Sequence, residues 1–102
     1  MATTPEGKLK QHFVKELKKR VKLTVVLQYK QDATTVNGFP DTILLGPEAV
    51  TVYIEFKKSK RAKFRPGQKE WGQKLTERNF LYYLVYPENE EEVLKELGEI
   101  LK

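Results

Sequence analysis

Phe39-Pro40-Asp41-Thr42-Ile43-Leu44-Leu45, then Gly46-Pro47-Glu48-Ala49, then Val50-Thr51-Val52-Tyr53-Ile54-Glu55-Phe56-Lys57 is the stretch on which the reading of this chain turns. It predicts two apolar strands, Thr42 to Leu45 and Val50 to Lys57, joined by a hairpin turn at Gly46-Pro47-Glu48. Glu55 and Lys57 are two apart on the second strand, so they point to the same side about 7 Å apart along the backbone. Asp41 enters the first strand from a turn, which can bring its carboxylate beside Glu55. Two carboxylates and an ammonium then converge on one spot, which suits holding a divalent cation against a phosphodiester and activating a water beside it. Each fragment alone has an ordinary explanation. An Asp after Pro is at home in turns, and Glu-x-Lys on a strand is often a solvated face.

Taken together and in this order, Pro40-Asp41…Glu55-Phe56-Lys57 resembles the signature of the PD-(D/E)xK nuclease superfamily. With Gly38 in front and Gln68 behind, the string is similar to that of the virus-type replication-repair nuclease family, VRR-NUC, and the likeness runs from about Glu6 to the last strand. It implies a metal-dependent DNA endonuclease in which Asp41, Glu55 and the backbone carbonyl of Phe56 ligate Mg²⁺ (or Mn²⁺). By the same likeness Glu6, in Glu6-x-x-Leu9, is a further metal or water ligand, Lys57 stabilises developing charge and Gln68 orients substrate or water. Small stand-alone members look like Holliday-junction resolvases that act as dimers on branched DNA. The sequence departs from the family before Gln68, where Ser59-Lys60-Arg61-Ala62-Lys63-Phe64-Arg65-Pro66-Gly67 is longer and more charged than the usual Ser-Pro-x-Gln approach.

Composition narrows the chemistry independently. The chain has 102 residues, which predicts a single domain spanning 1–102. It has no cysteine and one histidine, His12, so thiolate and imidazole zinc sites are excluded and an oxygen-liganded ion is the metal to expect. The lack of cysteine, of a signal-peptide core and of a long apolar run predicts an intracellular protein, neither secreted nor membrane-bound. The net charge is +5, unevenly spread. Lys58, Lys60, Arg61, Lys63 and Arg65 follow the motif directly, where a phosphate backbone has to lie, and are the expected nucleic-acid contacts. A second basic run covers Lys8 to Lys22 and reads equally well as a solvated helix surface. Acids gather in Glu88, Glu90, Glu91, Glu92, Glu96 and Glu99.

The remaining elements follow from periodicity. Thr4-Pro5-Glu6 is a helix start, and Leu9, Phe13, Val14, Leu17 and Val21 form the apolar stripe of a helix to about Arg20. Glu6 lies at the inward N-terminal end of that stripe; Glu16, at its edge, is the reserve candidate for a ligand and is expected instead to pair with His12 on the surface. Leu23 to Tyr29 is a first strand, and Lys30 to Asn37 is polar and loop-like. Pro66-Gly67 starts a helix to about Asn79 with Gln68, Trp71 and Leu75 inward and Gly72 allowing close approach to the sheet. Phe80 to Tyr86 is a fourth strand parallel to the third, and Glu88 to Lys102 a final helix. The order is α-β-β-β-α-β-α, an α/β fold with a mixed central sheet flanked by helices. Phe80, Tyr82, Tyr83 and Tyr86 supply aromatic material for a two-fold homodimer contact. The rival readings are a flap or nicking nuclease of the same chemistry and a non-catalytic nucleic-acid-binding module on the same fold. The second has no evident reason to keep Asp41, Glu55 and Lys57 together.

Overall fold

A computed structural model describes residues 4–28 and 38–102. Helix α1 (Pro5–Arg20) leads to strands β1 (Val25–Gln28), β2 (Thr42–Leu45) and β3 (Thr51–Phe56), then helix α2 (Gln68–Glu77), strand β4 (Leu81–Val85) and helix α3 (Glu90–Ile100). The strands form one sheet in the order β1-β2-β3-β4, the first two pairings antiparallel and β3–β4 parallel. The parallel pair is the one joined by a helix, because a tight turn cannot return a chain in the same direction. The predicted mixed sheet flanked by helices is the fold observed. The expected loop from Lys30 to Asn37, and Tyr29 at the end of the first strand, lie outside the described residues.

The helix boundaries have local causes. Thr4 caps α1 by accepting the Gly7 N–H at 3.0 Å, and Pro5 fills the first helical position, where no N–H is needed. Gly67, with φ +86°, cannot continue as helix, so α2 begins at Gln68 rather than at Pro66. Leu9, Phe13 and Leu17 are buried as the spacing predicts, whereas Val14 is only half-buried and lines a groove on the flank of α1. The expected His12–Glu16 pair does not form. His12 instead meets Glu90 of α3 at 2.7 Å and Glu16 meets Lys19 at 3.0 Å, because α3 packs close enough to compete for the imidazole.

The two faces of the sheet are covered differently. Leu44, Val52, Ile54, Phe56 and Val85 join Phe13, Leu17, Leu94 and Leu97 in one apolar core beneath α1 and α3. The opposite face meets α2, and a Cβ on Gly72 would stand 2.9 Å from the Tyr82 ring, so the absent side chain sets how closely the helix lies on β4. Trp71 is half-buried, its ring edge-on to Phe39 at 4.9 Å between centroids. Of the aromatic residues expected at a dimer contact, Tyr82 packs on Gly72 and Tyr83 packs against the core, while Phe80 remains exposed and touches Tyr53. The larger exposed apolar strip lies at the other end of the sheet, in Leu23, Val25, Leu27 and Leu45. No helix among the described residues is long and apolar enough to cross a membrane.

Candidate active site

The register of the hairpin brings the motif together. Thr42 pairs with Ile54, so the next step outward sets Asp41 opposite Glu55. The approach to Asp41 is fixed by Gly38 (φ +79°). A Cβ there would fall 2.1 Å from the Gly67 carbonyl carbon and 2.4 Å from the Gln68 nitrogen. Only a glycine lets the two backbones touch, and that contact holds the start of β2 against the start of α2. Phe39 reinforces it with edge-on contacts to Tyr53 and Trp71.

Glu55 is 4 % exposed, and its Oε1 finds no hydrogen-bond partner among the described residues. Burial pushes its carboxyl up to about 8, with the nearby Asp41 charge adding to the effect; Arg65 and Lys10 oppose it and Glu6 adds to it. Burial thus favours the protonated, uncharged form of Glu55 near neutral pH. The same charges identify which groups surround it: Glu6 and Lys10 from α1, Asp41 from the entry to β2, and Arg65 from the loop before α2.

Two cations occupy the other acids. The Lys10 ammonium donates to Asp41 Oδ2 at 2.5 Å, and Thr42 Oγ1 donates to Asp41 Oδ1 at 3.1 Å. Arg65 donates to Glu6 Oε2 at 2.8 Å. Gln68 is buried, and its Oε1 accepts the Arg65 backbone N–H at 2.7 Å, which closes the turn into α2. Lys57 is also buried, but its ammonium lies 4.1 Å from the centroid of the Phe64 ring, a cation–π contact, rather than against Asp41 or Glu55. Lys58, Lys60, Arg61, Lys63 and Arg65 are all exposed on the loop.

The structure thus gathers Glu6, Asp41, Glu55, Arg65 and Gln68 around the meeting point of β2, β3 and α2, with Lys57 beside them under Phe64. Sequence reasoning missed Lys10. Its signal was present, one helical turn after Glu6 on the same flank of α1. Among the described residues no group of three or more acids or histidines stands close enough to hold a metal by side chains alone. Two carboxylates facing each other in register, one with a buried and unsatisfied oxygen, still suit a hard cation. Mg²⁺ takes oxygen donors, commonly one or two carboxylates, and keeps several waters. The Phe56 carbonyl is the backbone donor next in line.

A solved structure described as "VRR_NUC domain" matches with a TM-score of 0.72 and 20 % identity, covering 92 % of this chain and 97 % of that one. A second, "VRR_NUC domain protein", matches with a TM-score of 0.70 and 16 % identity over 99 % and 93 % of the two chains. The fold is that of a VRR-NUC domain. No family model and no curated protein matches the sequence. The α-β-β-β-α-β-α order expected from the sequence is the one observed, and both matches extend over nearly the whole chain.

Proposed function

We propose that this VRR-NUC fold is a metal-dependent DNA endonuclease of the VRR-NUC family that resolves four-way junctions as a homodimer. The observation that carries the reading is the buried Glu55 carboxyl, with an unsatisfied oxygen, opposite Asp41 and amid Lys10, Arg65 and Glu6. Burying such a group without a partner costs stability, and active sites are where that cost recurs. Asp41, Glu55 and the Phe56 carbonyl would hold Mg²⁺ or Mn²⁺, and Glu55 must shed its proton to do so. When bound, such an ion would supply an acidified water and neutralise charge on the phosphoryl oxygens. Glu6 accepts a hydrogen bond from the attacking water, and Gln68 holds the turn that presents Arg65. Lys57, sheltered by Phe64, supplies a cation for the charge that develops on the phosphate. Lys58, Lys60, Arg61, Lys63 and Arg65 contact the DNA backbone.

Pairing two copies would give the two cuts that a nearly two-fold junction needs. The exposed Leu23, Val25, Leu27 and Leu45 at the β1 edge favour self-association there, since an exposed apolar edge strand readily pairs. The test is cleavage of four-way junction, flap and linear duplex DNA with Mg²⁺ and with EDTA, by wild type and by Asp41→Asn. The expected result is Mg²⁺-dependent paired nicks in the junction and a loss of about 100-fold or more in the variant. Wild-type turnover by Asp41→Asn would refute the assignment. Preference for the flap would keep the chemistry and change the substrate, and DNA binding without cleavage would leave only a binding module. A strictly monomeric protein making paired cuts in one encounter would refute the dimer.

A further inference from the structure

Along the flank of α1 that faces β1 runs a groove of about 540 Å³. Its wall on the helix includes Gly7, Lys10, Val14, Lys15 and Lys18, and Gln28 of β1 lies opposite. These helix positions follow one another at spacings of three, four, one and three residues and share one side of α1. The groove opens from the candidate active site, because Lys10 at its head is the residue that contacts Asp41. We propose that this groove is a phosphate-backbone track, carrying a nucleic-acid strand away from the site along α1. The proposal rests on the nuclease reading and adds a second contact surface to it, across the site from the Lys58–Arg65 loop.

The distribution of ion pairs separates this flank from the side of the helix that faces α3. On the side facing α3, Arg20 meets Glu91 at 3.1 Å and His12 meets Glu90, while Lys19 is held by Glu16. The acids of α3 neutralise that side. Lys15 and Lys18 are exposed and form no ion pair among the described residues, while Lys10 pairs with Asp41 of the site and its ammonium also lies 5.7 Å from the centroid of the Phe56 ring. Lys8, also exposed and without an ion pair among the described residues, lies outside the groove, but Lys15 and Lys18 place two uncompensated charges together in a groove that begins at the site.

The dimensions suit a strand. From Lys10 to Lys18 the helix rises about 12 Å at 1.5 Å per residue. Phosphates on one strand of a duplex advance about 3.4 Å per nucleotide along the axis, so the lysines span roughly three to four nucleotides. Each phosphate neutralised on duplex DNA contributes about 0.9 to the slope of log affinity against log salt.

The test compares Lys15→Ala/Lys18→Ala with Lys19→Ala/Lys102→Ala, which removes the same formal charge from lysines paired with Glu16 and Glu99. Binding of a linear duplex and of a four-way junction is followed by fluorescence anisotropy over a salt series, with wild-type cleavage measured in parallel. The groove variant is expected to weaken binding at least tenfold at moderate salt and to lower the slope by about 1.8, the control by less than half of that. Charge reversal, Lys15→Glu/Lys18→Glu, should weaken binding further with unchanged circular dichroism. Equal slopes in the groove and control variants, or an unchanged affinity after charge reversal, would overturn the track while leaving the nuclease reading intact. Absence of wild-type cleavage and binding would remove both.

Discussion

On one face of β3, Val52, Ile54 and Phe56 are sealed beneath α1 and α3, at 2 % exposure or less. One residue along each time, Tyr53, Glu55 and Lys57 turn to the opposite face, where the Glu55 carboxyl is buried near Asp41 and the Lys57 ammonium lies against the Phe64 ring. The same six-residue strand therefore contributes to a close-packed apolar core and to a polar layer with an unsatisfied oxygen. The first arrangement gains stability from burial, and the second gives some up to hold a carboxyl and an ammonium out of water. Alternation with a period of two permits this, since each strand residue commits to one face without constraining its neighbour.

The largest effect is expected on the apolar face. Phe13 is fully buried and meets Phe56 edge-on at 5.4 Å between centroids, so Phe13→Ala should cost about 3–5 kcal/mol. Chemical denaturation measures it, and a loss below about 1 kcal/mol would show that this face is not the close-packed one.

Glu55→Gln should do the opposite at alkaline pH. The folded-state value of about 8 lies above the unfolded value of 4.5. Protonated Glu55 thus contributes stability that is fully present below about pH 4.5 and is lost as pH rises through 8, on the order of a few kcal/mol. In EDTA, wild type should lose thermal stability from pH 5 to 9 more steeply than Glu55→Gln, which has no proton to lose there. Mg²⁺ should restore wild type at pH 8–9 and leave the variant unchanged, because a ligand that binds only the ionised native site stabilises it by mass action. Parallel melting curves for the two proteins would place the pH dependence elsewhere.

A pair of glycine substitutions sharpens the contrast on the polar side. Gly38→Ala meets rigid backbone at Gly67 and Gln68 and has φ +79°, so it should cost about 1–3 kcal/mol. It should also slow cleavage, by displacing Asp41 from Glu55. Gly72→Ala meets only the Tyr82 ring and should cost less, with cleavage nearly unchanged. Equal rates in the two variants would mean that the Gly38 contact does not position the site.

Much of this architecture was legible because its signals are local. The stripe Leu9, Phe13, Leu17 specifies α1, the alternation from Thr51 to Lys57 specifies β3, and the short turn at Gly46-Pro47-Glu48 fixes which residues face one another. The juxtaposition of Asp41 and Glu55 follows from that register alone. Another prediction failed where a distant element competed. His12 left Glu16 for Glu90, 78 positions away.

The sequence by itself determined the order of elements, the hairpin that pairs two carboxylates and the face of β3 on which they stand, because these depend on neighbours within one strand or one turn. Only the tertiary structure decided what surrounds them. Lys10 reaches Asp41 across 31 positions and Arg65 reaches Glu6 across 59. Gly38 must meet Gly67 before the motif's two parts are held together. The burial that raises Glu55 arises from the packing of strands and helices around its carboxyl, and the groove along α1 exists because β1 stands opposite it. Charge and burial around a site are sums over everything nearby in space, and a linear pattern contains only the contributions that are also nearby along the chain.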